Sequence, residues 1–164
     1  MPDDRKYKIR YAGETYFPIT NSWTLRLRTE LGYGDSYGDT TAFPFYEHFF
    51  AGGFGSIRGF ENHTLGPRTT PPLDMEGNPI CWRDPCGDPF GGNVQIEASA
   101  ELIFPLPFVE DSRQFRPSLF LDVGNVFNSR CPEISVNCFG FELDEIRYST
   151  GFADTWLTGM GPMS

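Results

Sequence analysis

Between residues 23 and 34 the chain reads WTLRLRTELGYG. Trp23, Leu25, Leu27, Leu31 and Tyr33 take odd positions, and Arg26, Arg28 and Glu30 take even ones. A period of two sends alternate side chains to opposite faces of a strand. The alternation recurs along the chain. YKIRYAGETYF (7–17) sets Tyr7, Ile9, Tyr11 and Phe17 against Lys8 and Arg10. NVQIEASAELIF (93–104) sets Val94, Ile96, Leu102 and Phe104 against Gln95, Glu97, Ser99 and Glu101. FRPSLFLDVGNVF (115–127) sets Leu119, Leu121 and Val123 against Arg116, Ser118, Phe120 and Asp122. IRYSTGFADTWL (146–157) sets Ile146, Tyr148, Phe152 and Trp156 against Arg147, Ser149 and Gly151. These patterns predict an all-β, antiparallel chain of about five long strands, at 7–17, 23–34, 93–104, 115–127 and 146–157.

The connections alternate in length. Residues 18–22 and 105–114 make short ones, and 35–92 and 128–145 make long ones. Ten-residue alternating strands, with short turns on one side and long loops on the other, mark a transmembrane β-barrel. Aromatics at the ends of the apolar faces fit an interfacial girdle. A soluble sandwich or lipocalin-like barrel also alternates, but loops this long are uncommon in compact domains. Five strands do not close around water, and open edges would be left exposed. TGMGPMS at the end reads as a turn and the start of another strand. The expectation is a partial barrel domain over 1–164, lying inside a larger one.

Composition narrows the function classes. The net charge of −9 opposes nucleic-acid phosphates. No run reaches the length of a membrane-spanning helix, and MPDDRKYKIR has no apolar stretch of the signal-peptide kind. The chain is thus either soluble and intracellular, or a piece whose signal lies further upstream. Four cysteines fall in two close pairs, Cys81/Cys86 and Cys131/Cys138. Two loop-stapling disulfides in an oxidising compartment is the favoured reading. A zinc site is the rival, although C-x4-C and C-x6-C match zinc spacings poorly and no His lies near. Free thiols remain open as well.

One stretch does not fit the strand pattern. GGFGSIRGFENHTLGP (52–67) places a single cation, Arg58, among glycines and aromatics. The preceding FPFYEHFF is densely apolar for a solvent loop, and the barrel interior is near. If the loop folds inward, Arg58 leaves water and needs an anion. Strand phase puts Glu101 and Asp122 on the polar face, so a guanidinium bridging both carboxylates would satisfy all three groups.

IRGF, Ile57 to Phe60 with Arg58 and Gly59 between, resembles the [VI]RG[FY] signature of the BamA family of outer-membrane assembly barrels. PFYEHFFAGG and ENHTLGPR around it resemble the same family. So do GGNVQIEASAELIFPLPF, FLDVGNVF and RYSTGFADTWLTGMGP, in family order and at family spacing, over nearly the whole chain. The resemblance implies a partner-rich membrane protein: periplasmic POTRA domains before a sixteen-stranded barrel, lipoprotein subunits beside it, and unfolded β-barrel clients. This chain would hold strands ten to fourteen and the start of the fifteenth, without the POTRA domains and remaining strands. Residues 35–92 would be extracellular loop six, folded into the lumen, with Arg58 matched to Glu101 and Asp122. The Cys81/Cys86 pair matches a loop-six feature of the family, although closer together; Cys131/Cys138 has no such counterpart. Asp154 departs from the family by standing on the apolar face. Without the gate strands and POTRA domains, the piece should not insert proteins unaided. A related translocation barrel, of the autotransporter-assembly or two-partner secretion type, is the alternative within this class. A soluble all-β binding module is the alternative outside it.

Bond chemistry has little support. Glu97, Glu101 and Asp122 read as a glycosidase carboxylate pair only if a sugar platform exists, and none is evident. His48 and His63 lack a nucleophile elbow. DVGNVFN (122–128) lacks the final acidic ligand of a calcium loop. Gly52, Gly53 and Gly55 are not followed by GK[ST], so they read as a hinge-like tether rather than a phosphate cradle. No enzyme activity, cofactor or metal is expected.

Overall fold

A computed structural model describes residues 5–38, 43–81, 86–105, 115–131, 138–158 and 161–163. Six strands form one antiparallel sheet in chain order: β1 (Lys6–Pro18), β2 (Thr24–Ser36), β3 (Val94–Ile103), β4 (Phe115–Phe127), β5 (Arg147–Thr158) and the short β6 (Gly161–Met163). The chain is all-β, as the alternation predicts, and the sheet is open, with β1 and β6 at its edges. Pairing carries β1 and β2 past their last alternating side chains, to Pro18 and Ser36, because ladder hydrogen bonds depend on the backbone alone.

Register fixes which side chains share a face. Arg26 lies opposite Glu101, and Arg28 opposite Ser99. Ser99 in turn lies opposite Asp122, and Glu101 opposite Phe120. Asp122 pairs with Ser149, and Phe120 with Gly151. One face of the sheet is therefore polar and charged across these three strand pairs. The other carries the leucines, isoleucines and outer aromatics.

Burial is inverted relative to a protein in water. Asp122 is 0% exposed and Glu101 6%, whereas Leu119 is 51% and Leu121 49% exposed. Rings mark both ends of the apolar face. Tyr7 meets Tyr33 at 6.0 Å. At the opposite ends of the strands Trp23 stacks on Phe104 at 5.4 Å, and Phe104 meets Phe152 at 6.2 Å. Tyr33 and Trp23 are ten residues apart. At about 3.3 Å per residue and the usual barrel tilt, that spacing spans about 25 Å, the height of an apolar membrane band.

The polar face is covered by the long connection after β2. A 3-10 turn (Phe45–Glu47) leads into bridges Phe49–Gly92 and Ala51–Leu65. Phe49, Ala51, Ile57, Leu65 and Val126 of β4 form a buried apolar cluster, with Phe60 packed against it. The glycines here are not a loose tether, which corrects the sequence reading. Gly52 has φ +103°, and a Cβ there would meet the Glu61 carbonyl oxygen at 2.6 Å. The turn is tight: Gly53 N–H donates to Ile57 O at 3.1 Å, and Ser56 N–H to Gly53 O at 3.1 Å. Residues 68–81 and 86–89 then belong to a separate excursion. It is bridged at Arg68–Pro89 and Leu73–Pro79 and closed by the Cys81–Cys86 disulfide. Cys131 and Cys138 are also bonded to each other. No described helix is long and apolar enough to cross a membrane.

Candidate functional site

The turn at 53–57 delivers Arg58 onto the polar face of the sheet. Ile57 is fully buried in the apolar cluster, so the residue before the arginine is held by packing. Gly59 has φ +85°, and a Cβ there would lie 3.4 Å from Ser149 Cβ. The chain therefore turns away directly above β5, and Phe60 returns to the cluster.

Arg58 engages Asp122 three times. Its Nε donates to Oδ2 at 2.7 Å and its Nη2 to Oδ1 at 2.9 Å, a bidentate fork. Its backbone N–H donates to Oδ2 at 3.0 Å. Ser99 Oγ donates to Asp122 Oδ1 at 2.5 Å and accepts from Arg58 Nη2 at 3.2 Å. The guanidinium carbon sits 3.7 Å from the centroid of the Phe120 ring. A desolvated cation over a ring adds on the order of 2 kcal/mol. Gly151, across from Phe120, makes room for that ring: a Cβ there would approach Phe120 Cζ to 2.8 Å.

Glu101 is shared between Arg58 and a second arginine. Arg58 Nη1 reaches its Oε1 at 3.5 Å, the limit of a hydrogen bond. Its closer partners are Arg26, whose Nη1 donates to Oε2 at 2.9 Å, and Ser118, whose Oγ donates to Oε1 at 2.5 Å. Arg26 Nε in turn donates to Glu14 Oε1 at 2.6 Å. The charges thus alternate in sign from β1 to β4: Glu14, Arg26, Glu101, Arg58, Asp122. Arg28 adds an anchor without a carboxylate, donating from Nη2 to the Ser56 carbonyl at 2.9 Å. Arg58 belongs chiefly to Asp122, and Glu101 is shared.

Sequence reading missed Ser99, Ser118, Arg26, Phe120 and Gly151 as members of the site. A partial signal was present: Phe120 is an aromatic standing in a polar phase. Glu97 sits one turn of the pattern away and accepts from Gln95 Nε2 at 2.6 Å, outside the arginine network. His48 is a packing group. Its Nδ1 lies 2.9 Å from the Phe90 carbonyl, and its ring meets Phe43 and Phe90. His63 is exposed, with φ +60°. Asp154 lies on the exposed apolar face with Phe152. Among the described residues, no three His, Cys, Asp or Glu side chains cluster to hold a metal. Beside the sheet edge, Lys6 bonds to Glu47, and that hydrogen bond leads in holding the Glu47 carboxyl below its usual range.

Residues 2–164 match the Omp85 superfamily domain model. The chain belongs to the Omp85 superfamily. It is 36% identical over 177 aligned residues to the outer membrane protein assembly factor BamA of Neisseria meningitidis, covering 95% of this chain and 21% of that protein. A SAM50-like protein of Schizosaccharomyces pombe is 33% identical over 134 residues, covering 80% of this chain and 25% of that protein. The crystal structure of Haemophilus ducreyi BamA lacking POTRA domains 1–3 superposes with a TM-score of 0.77 at 28% identity. It covers 99% of this chain and 31% of the solved one. This Omp85 chain therefore spans between a fifth and a third of the relatives it matches. The open sheet of six strands corresponds to part of their barrel.

Proposed function

We propose that this Omp85 chain is the part of an outer-membrane protein assembly factor that carries the inward-folded loop, with Arg58 as the brace that fixes the loop to the barrel wall. The observation that carries the reading is the bidentate Arg58–Asp122 pair, set beneath a loop that also packs an apolar cluster around Ile57. The seat is the bacterial outer membrane, where a sheet that is apolar outside and charged inside matches its surroundings. The partners are the remaining barrel strands, POTRA domains, lipoprotein subunits of an assembly complex, unfolded β-barrel clients and the lipid bilayer. No bond is made or broken. A wall held in one shape presents a strand edge to clients, and the brace keeps that wall and its loop in register.

A clear test is Arg58→Ala in the intact protein, measured by amide hydrogen exchange of residues 55–60 and by folding of a client barrel into liposomes. Loss of a bidentate buried partner should raise exchange by about two to four orders of magnitude, since breaking such a pair costs about 3–5 kcal/mol. Client folding should slow. Parent-like exchange together with parent-like client folding would sink the reading. A soluble module is disfavoured by the exposed leucines of β4, because a protein kept in water has no reason to bury Asp122 and expose Leu119 and Leu121.

A further inference from the structure

Two glycines of β2, Gly32 and Gly34, stand in the inward phase of that strand, following Arg26, Arg28 and Glu30. Glycine weakens a strand interior, and two in one phase mark a place where another group comes close. Here the group is aromatic at both positions. A Cβ at Gly32 would meet Cε1 and Cζ of Phe49 at 2.7 Å each. A Cβ at Gly34 would run into the ring of Phe43. Neither glycine has a positive φ, so the backbone alone would admit a side chain at both. What excludes one is the ring already in its place.

The neighbouring strand closes this seat. Lys8 of β1 lies opposite Gly34. Its Nζ stands 4.3 Å from the centroid of the Phe49 ring and donates to the Glu47 carbonyl at 2.5 Å. Lys6 Nζ pairs with Glu47 Oε1 at 3.0 Å, a partly exposed contact that contributes little alone. The rings are also tied to the returning limb of the loop. Phe43 stacks on His48, whose ring meets Phe90 at 4.8 Å. Phe49 exchanges backbone hydrogen bonds with Gly92 at 2.7 and 3.1 Å. Both limbs of the inward loop are therefore gathered on β1 and β2, whereas the Arg58 guanidinium is bonded to β3 and β4. Phe49, 6% exposed, belongs to the buried cluster that contains Ile57, the residue before the arginine. Two residues after Phe49, Ala51 bridges to Leu65 of the same cluster, and Gly52 N–H donates to Ser56 Oγ at 3.0 Å. Packing thus runs from Gly32 through Phe49 and the cluster to Ile57.

We propose that Gly32, Gly34 and Lys8 form a socket for the two loop rings, and that Phe49, seated in it, is a positioning residue for Arg58. The proposal deepens the brace reading and rests on it. A buried ring pressed on a bare stretch of backbone has nowhere to retreat, because close-packed interiors answer added volume by shifting. A methyl group on the wall at Gly32 lifts Phe49, and Ile57 shifts with the cluster.

The test uses the intact protein in detergent micelles. Amide hydrogen exchange of residues 49–52 and 55–60 is read beside heat-modifiable gel mobility, which reports whether the barrel itself is intact. Gly32→Ala should raise exchange of both segments by about tenfold, with the mobility shift unchanged. Adding Phe49→Leu removes Cε1 and Cζ, the two ring atoms nearest the new methyl, and should bring exchange back to within about threefold of the parent. Lys8→Met keeps an apolar stem beside Phe49 without the charge, and should raise exchange of 49–52 by about threefold. Gly140→Ala, where an added Cβ meets nothing within 4 Å, should leave both segments at the parent rate. If Gly32→Ala does not fold, Phe49→Ala empties the socket without touching the wall, and the same rise of about tenfold is expected. Parent-like exchange of 55–60 in whichever of these two variants folds would overturn the proposal, as would an equal rise in Gly140→Ala. A double variant no better protected than Gly32→Ala would also overturn it, because the fit of ring to glycine would then be irrelevant. Parent-like exchange in Lys8→Met would strike the lysine from the socket. If Arg58→Ala loosens the loop while Gly32→Ala does not, the socket fails and the brace stands. If Gly32→Ala loosens the loop but Arg58→Ala leaves exchange and client folding normal, the brace fails and the socket stands as the seat of the loop.

Discussion

On β4, Leu121 and Asp122 are neighbours in sequence, yet the leucine is half exposed and the carboxylate is fully enclosed. The contrast holds across the sheet: the two faces obey opposite rules. The inner face is charged, with short ion pairs from Glu14 to Glu101 and from Arg58 to Asp122 and a longer contact of 3.5 Å between Arg58 and Glu101. The outer face is apolar, carries no described ion pair at its centre, and ends in rings. In water that arrangement loses twice, by exposing leucine and by desolvating charge. In a bilayer the outer face gains its solvent, and the inner charges need only partners. The difference teaches that the sheet is organised around what surrounds it, and that the inner face is stable only when each charge is matched.

The sharpest way to break the inner half of that contrast is Asp122→Ala. It leaves a guanidinium with 14% side-chain exposure facing Ser99 and a distant Glu101. Removing one member of a buried pair costs about 3–5 kcal/mol, read by guanidinium unfolding of the intact barrel in micelles. Adding Arg58→Ala should recover part of the loss, because no unpaired charge is then enclosed. Strictly additive losses in the double variant would show that the two residues do not act as a pair.

How much of this was legible from residue order can be judged on the same two side chains. The period of two put Asp122 inside and Leu121 outside without any structure, because phase along a strand is a local property. The placement of Arg58 near an inward acid also followed, since a lone cation on an apolar loop demands one. The division between acids did not. Glu101 goes mainly to Arg26, a residue 75 positions away that faces it only through the β2–β3 register. That register is set across the long connection, and no local pattern encodes it. Phe120 beneath the guanidinium was hidden for a related reason: its space is made by Gly151 on the next strand. The glycines at 52 and 53 misled in the other direction. Flexibility was the natural reading of their composition, whereas their positive φ angles serve a packed turn.

The outer face has its own test in Leu121→Arg. Leu121 lies midway along β4, opposite Ala100 and Thr150. If that face is bathed in lipid, arginine at this depth costs about 2–4 kcal/mol in refolding free energy in liposomes. If the face meets water, an exposed leucine exchanged for arginine changes stability by only about 0.5 kcal/mol. The two outcomes are well separated, so a near-neutral result would undo the lipid-facing assignment.

Asp154 sharpens the contrast at its boundary. It is the described carboxylate on the outer face of β5, exposed beside Phe152 and opposite Pro117. Pro117 is two residues from the start of β4, at the end of the sheet where Trp23 and Phe104 stack. That depth is interfacial rather than central, and a carboxylate is tolerated there at a cost of about 0–1 kcal/mol. Asp154→Leu should therefore stabilise the barrel in liposomes by less than about 1 kcal/mol, the smallest of these effects. A gain of about 2 kcal/mol or more would put Asp154 well inside the hydrocarbon. The apolar band would then begin beyond the Trp23–Phe104 ring pair instead of at it, and the inner network from Glu14 to Asp122 would sit nearer the middle of the membrane.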